Sequence, residues 1–175
     1  VAASLAQGIT TAADGTKITC RGNYNRGEIP NALTQDKWES AVNGAISFSD
    51  SLSKVENTNI SLVTFSGSAS IATEFSHTAL TARDFGHPEG NTNLQAGLSN
   101  AIDKLKEITD PNAQKYIVVI GDGQPTSGGS NGKSATDRAM DRAYEAKNDN
   151  KITVFSIGYG IENDATAKDV LKKIS

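Results

Sequence analysis

Apolar residues recur with two different periods along the chain, and these periods predict its secondary structure. Residues 116–120, Tyr-Ile-Val-Val-Ile, form a short unbroken apolar run rich in β-branched side chains, which is typical of a strand buried on both faces. Residues 59–65 and 152–157 are predicted strands as well, and we expect these three to run parallel in one sheet. Residues 69–75 return after a tight Ser-Gly-Ser turn, so they are predicted to pair antiparallel.

Helical spacing of apolar residues predicts helices at about residues 36–52, 94–108, 135–148 and 164–174. Thr92 and Gln95 match a capping box at the start of the second helix. Strands that alternate with helices of this length indicate the α/β class. We expect a doubly wound, mainly parallel sheet with helices on both faces and one antiparallel strand.

The first 35 residues lack such periodicity. Residues 1–7 suit a short helix or a strand, residues 16–20 alternate like a strand, and residues 21–34 carry the Gly, Asn and Pro of a loop. We therefore divide the chain into an irregular N-terminal segment, residues 1–35, which is a possible insertion, and a core of residues 36–175.

Composition and charge exclude several classes of function. The net charge of −3 and the mixed charge pattern provide no basic surface for nucleic acid or anionic lipid. No apolar run approaches the ~20 residues that cross a bilayer, so we expect no membrane insertion by this chain. The single cysteine, Cys20, cannot form an internal disulfide and is expected to be a buried thiol. His77 and His87 lack partners at zinc-binding spacing and are interpreted as solvated.

Enzyme signatures are few, and we expect the chain not to be an enzyme. Gly158-Tyr159-Gly160 follows a strand but lacks the third glycine and the acidic partner of a dinucleotide site. Neither a Gly-x-Ser-x-Gly elbow nor a phosphate-binding loop occurs in the sequence. Asp122 at a strand end suggests a phosphatase nucleophile, but Gln124 stands where a companion aspartate would be needed.

Three polar loops are predicted to meet at the carboxyl edge of the sheet, namely residues 66–68, 90–93 and 121–123. Open α/β sheets bind ligands at this edge, where Asp122 ends a buried strand. An ordinary Asp-Gly turn is the alternative interpretation of Asp122. For Thr92 the alternative is a helix cap, because capping and metal binding would use the same hydroxyl.

The order and spacing of these segments resemble the von Willebrand factor A domain, the inserted-domain fold of integrins and many bacterial surface adhesins. The resemblance covers residues 36–175 and rests on the helix from residue 36 and on ISLVTFSGSASIATEF, GNTNLQAGLSNAIDKL, YIVVIGDGQPTSGG and ITVFSIGYG. That family holds a divalent cation between three loops, and the resemblance assigns two of the metal ligands to Thr92 and Asp122. The implied cofactor is Mg²⁺ (or Mn²⁺ or Ca²⁺), a hard cation that takes oxygen ligands.

The chain departs from the family at the first metal-binding loop, normally Asp-x-Ser-x-Ser, which is absent from these 175 residues. Either residues upstream of Val1 supply that loop and its strand, or residues 16–20 replace the strand and the site is degenerate. In the family this strand lies at the centre of the sheet, so its loss would leave buried backbone groups unpaired at a cost of about 1–3 kcal/mol each. We expect the core to be incomplete at both ends, and ion binding by this chain to be weak or absent.

The resemblance implies a metal-assisted adhesion or protein-binding module of a cell-surface or pilus protein, extracellular and bacterial. Its implied partner is a protein or extracellular-matrix ligand that offers a carboxylate. One alternative is an intracellular subunit that works with a chelatase or ATPase, and another is a degenerate structural domain without metal. Metal content separates the first function from the last, and a signal peptide separates it from the intracellular one.

Overall fold

The structure is a computed structural model that describes residues 5–11, 17–23, 32–86 and 90–175, with side chains in 38–86 and 90–175. The chain divides into two compact units, Val1–Ser40 and Ala41–Ser175. The expected state of the Cys20 thiol and the interpretation of His87 fall outside what the structure describes. Within the described residues, no helix is both long enough and apolar enough to cross a membrane.

The first unit contains an antiparallel hairpin of β1 (Leu5–Thr11) and β2 (Lys17–Asn23), with Leu5 opposite Asn23 and Thr11 opposite Lys17. The strand predicted near residues 16–20 is therefore present, but it runs on into the predicted loop. The helix α1 (Ala32–Leu52) begins in this unit and continues into the second. Residues 32–34 were expected to be loop and are helical, since Ala32 and Leu33 are strong helix formers.

The second unit alternates strands and helices as the apolar pattern predicts, which confirms the α/β class. After α1 the elements are β3 (Ile60–Phe65), β4 (Ala69–Ser76), α2 (Leu94–Lys106), β5 (Tyr116–Gly121), α3 (Ala135–Tyr144), a π-helical turn (Glu145–Asp149), β6 (Thr153–Gly158) and α4 (Ala165–Ile174). Side chains cap the last two helices: Ser134 and Asp137 form a capping box on α3, and Asp164 accepts the N–H of Ala167 on α4.

Strand pairing differs from the prediction in one respect. β3 and β4 form an antiparallel hairpin, with Phe65 opposite Ala69, while β5 and β6 pair in parallel, with Tyr116 opposite Thr153. The expected sheet with three parallel strands is wrong, because in the described part of the chain β3 pairs with β4 and not with β5 or β6. A break in the sheet between β3 and β5 is expected where a central strand is not among the described residues. The source of that strand stays a prediction.

The core lies between helices α2, α3 and α4 and one face of β5 and β6. It comprises Leu94, Leu98, Ile102, Leu105, Ile117, Val119, Ala139, Ala143, Ala146, Ile152, Val154, Ile161, Ala167, Val170, Leu171 and Ile174, and Phe65 of β3 packs against it. Side chains alternate across a strand, so the opposite face carries Tyr116 and Phe155, which stack at 6.3 Å between ring centroids. Both rings are about half exposed, at 54% and 52%.

Lys104 attaches α2 to the β3–β4 hairpin. Its ammonium lies 2.5 Å from a carboxylate oxygen of Glu74 on β4 and 2.5 Å from one of Glu107, and it is 5.8 Å from the centre of the Phe75 ring. Hydrogen bonds to Glu107 and then Glu74 raise the pKa of Lys104 above its ordinary value. Lys104 is buried, and these partners offset the cost of removing its charge from water. The contact holds α2 against the hairpin, and the residues just before α2 belong to the candidate site.

Candidate metal site

Hydrogen bonds of residues 92 and 93 join the N-terminal end of α2 to the loop after β3 and to the loop after β5. The backbone N–H of Asn93 donates to the carbonyl of Ser66 at 2.6 Å, which attaches the loop after β3. The carbonyl of Thr92 accepts the N–H of Thr126 at 2.9 Å and that of Ser127 at 3.2 Å, which attaches the loop after β5. The predicted contact between residues 66–68 and 90–93 is therefore present, whereas the loop after β5 joins them through residues 126 and 127, and the place of residues 121–123 in this cluster stays a prediction.

Asn93, and not Thr92, caps α2. The side-chain oxygen of Asn93 accepts the N–H of Ala96 at 3.1 Å. The predicted capping box of Thr92 and Gln95 is wrong, because the cap falls one residue later and the Gln95 amide donates to the Ser99 hydroxyl at 2.9 Å. Asparagine is as good a cap as serine and better than threonine, so the local preference agrees with the structure.

The capping role of Asn93 leaves the hydroxyl of Thr92 available. Both backbone polar groups of Thr92 are used, since its N–H donates to the Thr126 hydroxyl at 2.8 Å and its carbonyl accepts as described above. Its side-chain hydroxyl has no hydrogen-bond partner among the described residues. The competition between capping and metal binding that the sequence leaves open is thus absent at this residue.

Asp122 stands directly after β5, as predicted, and its side chain is exposed. In the part of the chain that the structure describes, its carboxylate makes neither a hydrogen bond nor an ion pair. The end of β5 is held by the N–H of Tyr159, which donates to the carbonyl of Gly121 at 2.8 Å. The roles of Thr92 and Asp122 as ligands of one ion remain predictions.

Sequence reasoning missed two further residues of this junction. The hydroxyl oxygen of Ser127 is buried and has no hydrogen-bond partner among the described residues, so a water or an ion is expected to satisfy it. Gly128 has a φ of +95°, and a Cβ at this position would clash with the side-chain oxygen of Asn93. The glycine is therefore needed both for its backbone conformation and for the space that Asn93 occupies.

The available donors suit a hard divalent cation in kind but are few. Thr92, Asp122 and Ser127 all offer oxygen, which Mg²⁺ and Mn²⁺ prefer, and Asp122 alone among them offers a charge. Among the described residues, no group of three or more His, Cys, Asp and Glu side chains could hold a metal.

His77 is exposed, and its Nδ1 lies 2.6 Å from the carbonyl oxygen of Thr58.

A surface depression of about 350 Å³ lies beside β6 and α4 and is lined by residues such as Ser156, Ile161 and Leu171. None of the lining residues belongs to the three loops. We therefore place the candidate site at the hydrogen-bonded loop junction, which holds the hydroxyls of Thr92 and Ser127, and not in this depression.

Comparison with known proteins identifies the family. The model of the von Willebrand factor type A domain matches residues 31–175, and the chain therefore belongs to this family. A similar solved structure is that of the manganese-loaded Plasmodium vivax TRAP protein, with a TM-score of 0.55 and 24% sequence identity. The match covers 82% of this chain and 56% of that one, and at this identity it shows the fold alone. No curated protein matches the chain.

Proposed function

We propose that this chain is a metal-assisted adhesion or protein-binding module of an extracellular or cell-surface protein. Thr92 and Asp122 would bind Mg²⁺ or Mn²⁺, and a carboxylate of a partner protein would complete the coordination. Membership of the von Willebrand factor type A family supports a protein-binding role. The manganese in the structure of the similar TRAP protein supports the choice of ion.

The observation that carries this proposal is that two adjacent residues, Asn93 and Thr92, have different roles. Asn93 caps α2, and Thr92 keeps a hydroxyl without a partner among the described residues. This hydroxyl belongs to the residue that is hydrogen-bonded to the loop carrying Asp122. With one carboxylate and one or two hydroxyls, little offsets the dehydration of Mg²⁺, so we expect weak binding. A bound cation would offer an open coordination position to a carboxylate of the partner protein.

The proposal is tested by titrating the chain with Mn²⁺ and measuring the relaxation rate of water protons. This measurement works at the concentrations that weak binding requires. We expect saturable binding by the wild-type chain, no saturable binding by Asp122→Ala, and binding weakened by about tenfold in Thr92→Val. Asp149→Ala is the matched control, because it removes an exposed carboxylate from the π-helical turn at the other end of α3. Equal binding by Asp122→Ala and Asp149→Ala would contradict the proposal.

Acetate provides a probe for the open coordination position. If a partner carboxylate completes the site, acetate should displace a Mn²⁺-bound water and lower the relaxation enhancement of the wild-type chain. Chloride at the same ionic strength is the control. An equal effect of both anions would mean that the ion offers no position to a carboxylate.

The degenerate structural domain is the second candidate. It is favoured by the lack of a multi-carboxylate cluster among the described residues. Failure of the wild-type chain to bind Mn²⁺, together with unchanged stability when the ion is added, would support this candidate in place of the first, because an ion that binds the folded state stabilises it.

A further inference from the structure

We infer that Asn93 is a positioning residue of the metal site, which holds the Thr92 hydroxyl available for the ion. This inference rests on the proposed function. Asn93 acts through Thr92 in two ways. Because Asn93 caps α2 itself, the backbone N–H groups at the start of this helix do not engage the Thr92 hydroxyl. Its contacts with two loops also fix the backbone next to Thr92.

The side chain of Asn93 has two partners of opposite kind. Its oxygen accepts the N–H of Ala96 at 3.1 Å, and its amide nitrogen donates to the carbonyl of Gly67 at 3.1 Å. One partner is a donor and the other an acceptor, so the orientation of the amide is defined. A single side chain thereby joins the first turn of α2 to the loop after β3, 26 residues earlier.

Gly128 leaves the space that the side chain of Asn93 occupies. A Cβ at residue 128 would overlap the side-chain oxygen of Asn93, and the φ of +95° disfavours any residue with a Cβ. The loop after β5 thus leaves room for the capping amide and, through Thr126 and Ser127, binds the carbonyl of Thr92. Displacement of Asn93 would break both the cap of α2 and the hydrogen bond that joins α2 to the loop after β3.

Removal of Asn93 should leave the first turn of α2 without its side-chain cap. The hydroxyl of Thr92, one residue earlier, is then the next side chain that could accept a backbone N–H of this turn. A threonine can cap a helix, and its hydroxyl would then be engaged by a backbone donor. Groups that orient metal ligands typically change metal affinity by roughly 10- to 100-fold when they are removed. We expect an effect near the lower end, because Asp122 is unaffected.

The test compares Mn²⁺ affinity in Asn93→Ala, Asn93→Ser and Gly128→Ala. We expect about tenfold weaker binding in Asn93→Ala and recovery of much of it in Asn93→Ser, since serine restores a cap. Gly128→Ala should weaken binding although Asn93 and Thr92 are unchanged. If Asn93→Ala does not fold, the other two variants carry the test. Asp164→Ala is the matched control, because it removes the cap of α4 and leaves the loop junction intact.

A second readout distinguishes positioning from a general loss of stability. In a Thr92→Val background, Asn93→Ala should cause no further loss of Mn²⁺ affinity, since residues that act through one another are not additive. Additive effects would overturn the inference, as would an equal loss of affinity in Asp164→Ala and Asn93→Ala. If the wild-type chain binds and Asp122→Ala does not, an unchanged Asn93→Ala refutes the positioning role alone. No binding by the wild-type chain refutes the proposed function, and the positioning role with it.

Discussion

The hydroxyl of Thr126 accepts a hydrogen bond from the backbone N–H of Thr92 at 2.8 Å, across 34 residues of sequence. This bond joins the loop after β5 to the residue that precedes the cap of α2. The carbonyl of Thr92 accepts in turn from the N–H groups of Thr126 and Ser127, so three hydrogen bonds among these three residues hold the two segments together. The backbone position of Thr92 is therefore set by a distant part of the chain.

We predict that Thr126→Val destabilises the chain by about 1 kcal/mol, because valine keeps the shape of threonine but cannot accept the Thr92 N–H. Thr126→Ser retains the acceptor and should stay within about 0.5 kcal/mol of the wild type. Urea unfolding measures both free energies. A valine variant as stable as the serine variant would show that the bond contributes nothing.

Local pattern was enough to predict most helices and strands, because a buried face repeats with the period of the element that carries it. Leu94, Leu98, Ile102 and Leu105 are all buried on one face of α2, and Ile117 and Val119 of β5 are buried with them. The same pattern does not specify which strand lies beside which. The run Ile60–Phe65 suggests a strand of the parallel sheet, yet it pairs with β4 alone among the described residues.

The cap of α2 shows a different limit of sequence reasoning. Thr92 and Gln95 satisfy the capping-box pattern, but Asn93 is also a strong cap, and the sequence does not decide between two candidates one residue apart. The choice follows from distant contacts, since Asn93 bonds to Ser66 and Gly67 while Thr92 bonds to Thr126. The three loops were predicted to meet, but the hydrogen bonds of residues 92 and 93 to the loops after β3 and β5 could not be derived from spacing.

Acid should weaken the contact that Glu145 of the π-helical turn makes with Lys106 at the end of α2. Hydrogen bonds from Arg142 and then Lys106 lower the pKa of Glu145 below its ordinary value, and both cations keep their charge in acid. A carboxyl group with a lowered folded-state pKa stabilises the fold fully above its unfolded pKa and loses that contribution as the pH falls through the folded value. The loss is therefore expected in acid, below the ordinary pKa of a glutamate, as the pH falls through the lowered pKa of Glu145.

Glu145→Gln tests this expectation. At pH 7 the variant should be less stable by roughly 1 kcal/mol, the upper range for a partly exposed ion pair, and the difference should disappear once the pH has fallen below the folded-state pKa of Glu145. Urea unfolding at several pH values measures it. Glu162→Gln is the control, because Glu162 is exposed and its carboxylate has no partner among the described residues. A difference that stays constant as the pH falls below the folded-state pKa of Glu145 would mean that ionisation of Glu145 does not contribute.

Two helical glycines should respond in opposite directions to the same substitution, Gly→Ala. Alanine is intrinsically favoured over glycine in a helix by about 1 kcal/mol. At Gly44 of α1 a new Cβ would meet nothing within 4 Å, so Gly44→Ala should raise the free energy of unfolding by about 0.5–1 kcal/mol. At Gly97 of α2 the Cβ would lie 2.9 Å from Cδ1 of Phe65, which packs against the core.

Gly97→Ala should therefore lower the free energy of unfolding by about 1–3 kcal/mol, because overpacking outweighs the gain in helix propensity. Phe65→Leu removes ring atoms at the point of contact, so the double variant should lose less stability than the sum of the two single variants. Urea unfolding of the four chains gives this coupling energy. Stabilisation by Gly97→Ala equal to that by Gly44→Ala would show that β3 does not pack closely on α2, and the attachment of the hairpin to the loop junction would then need another explanation.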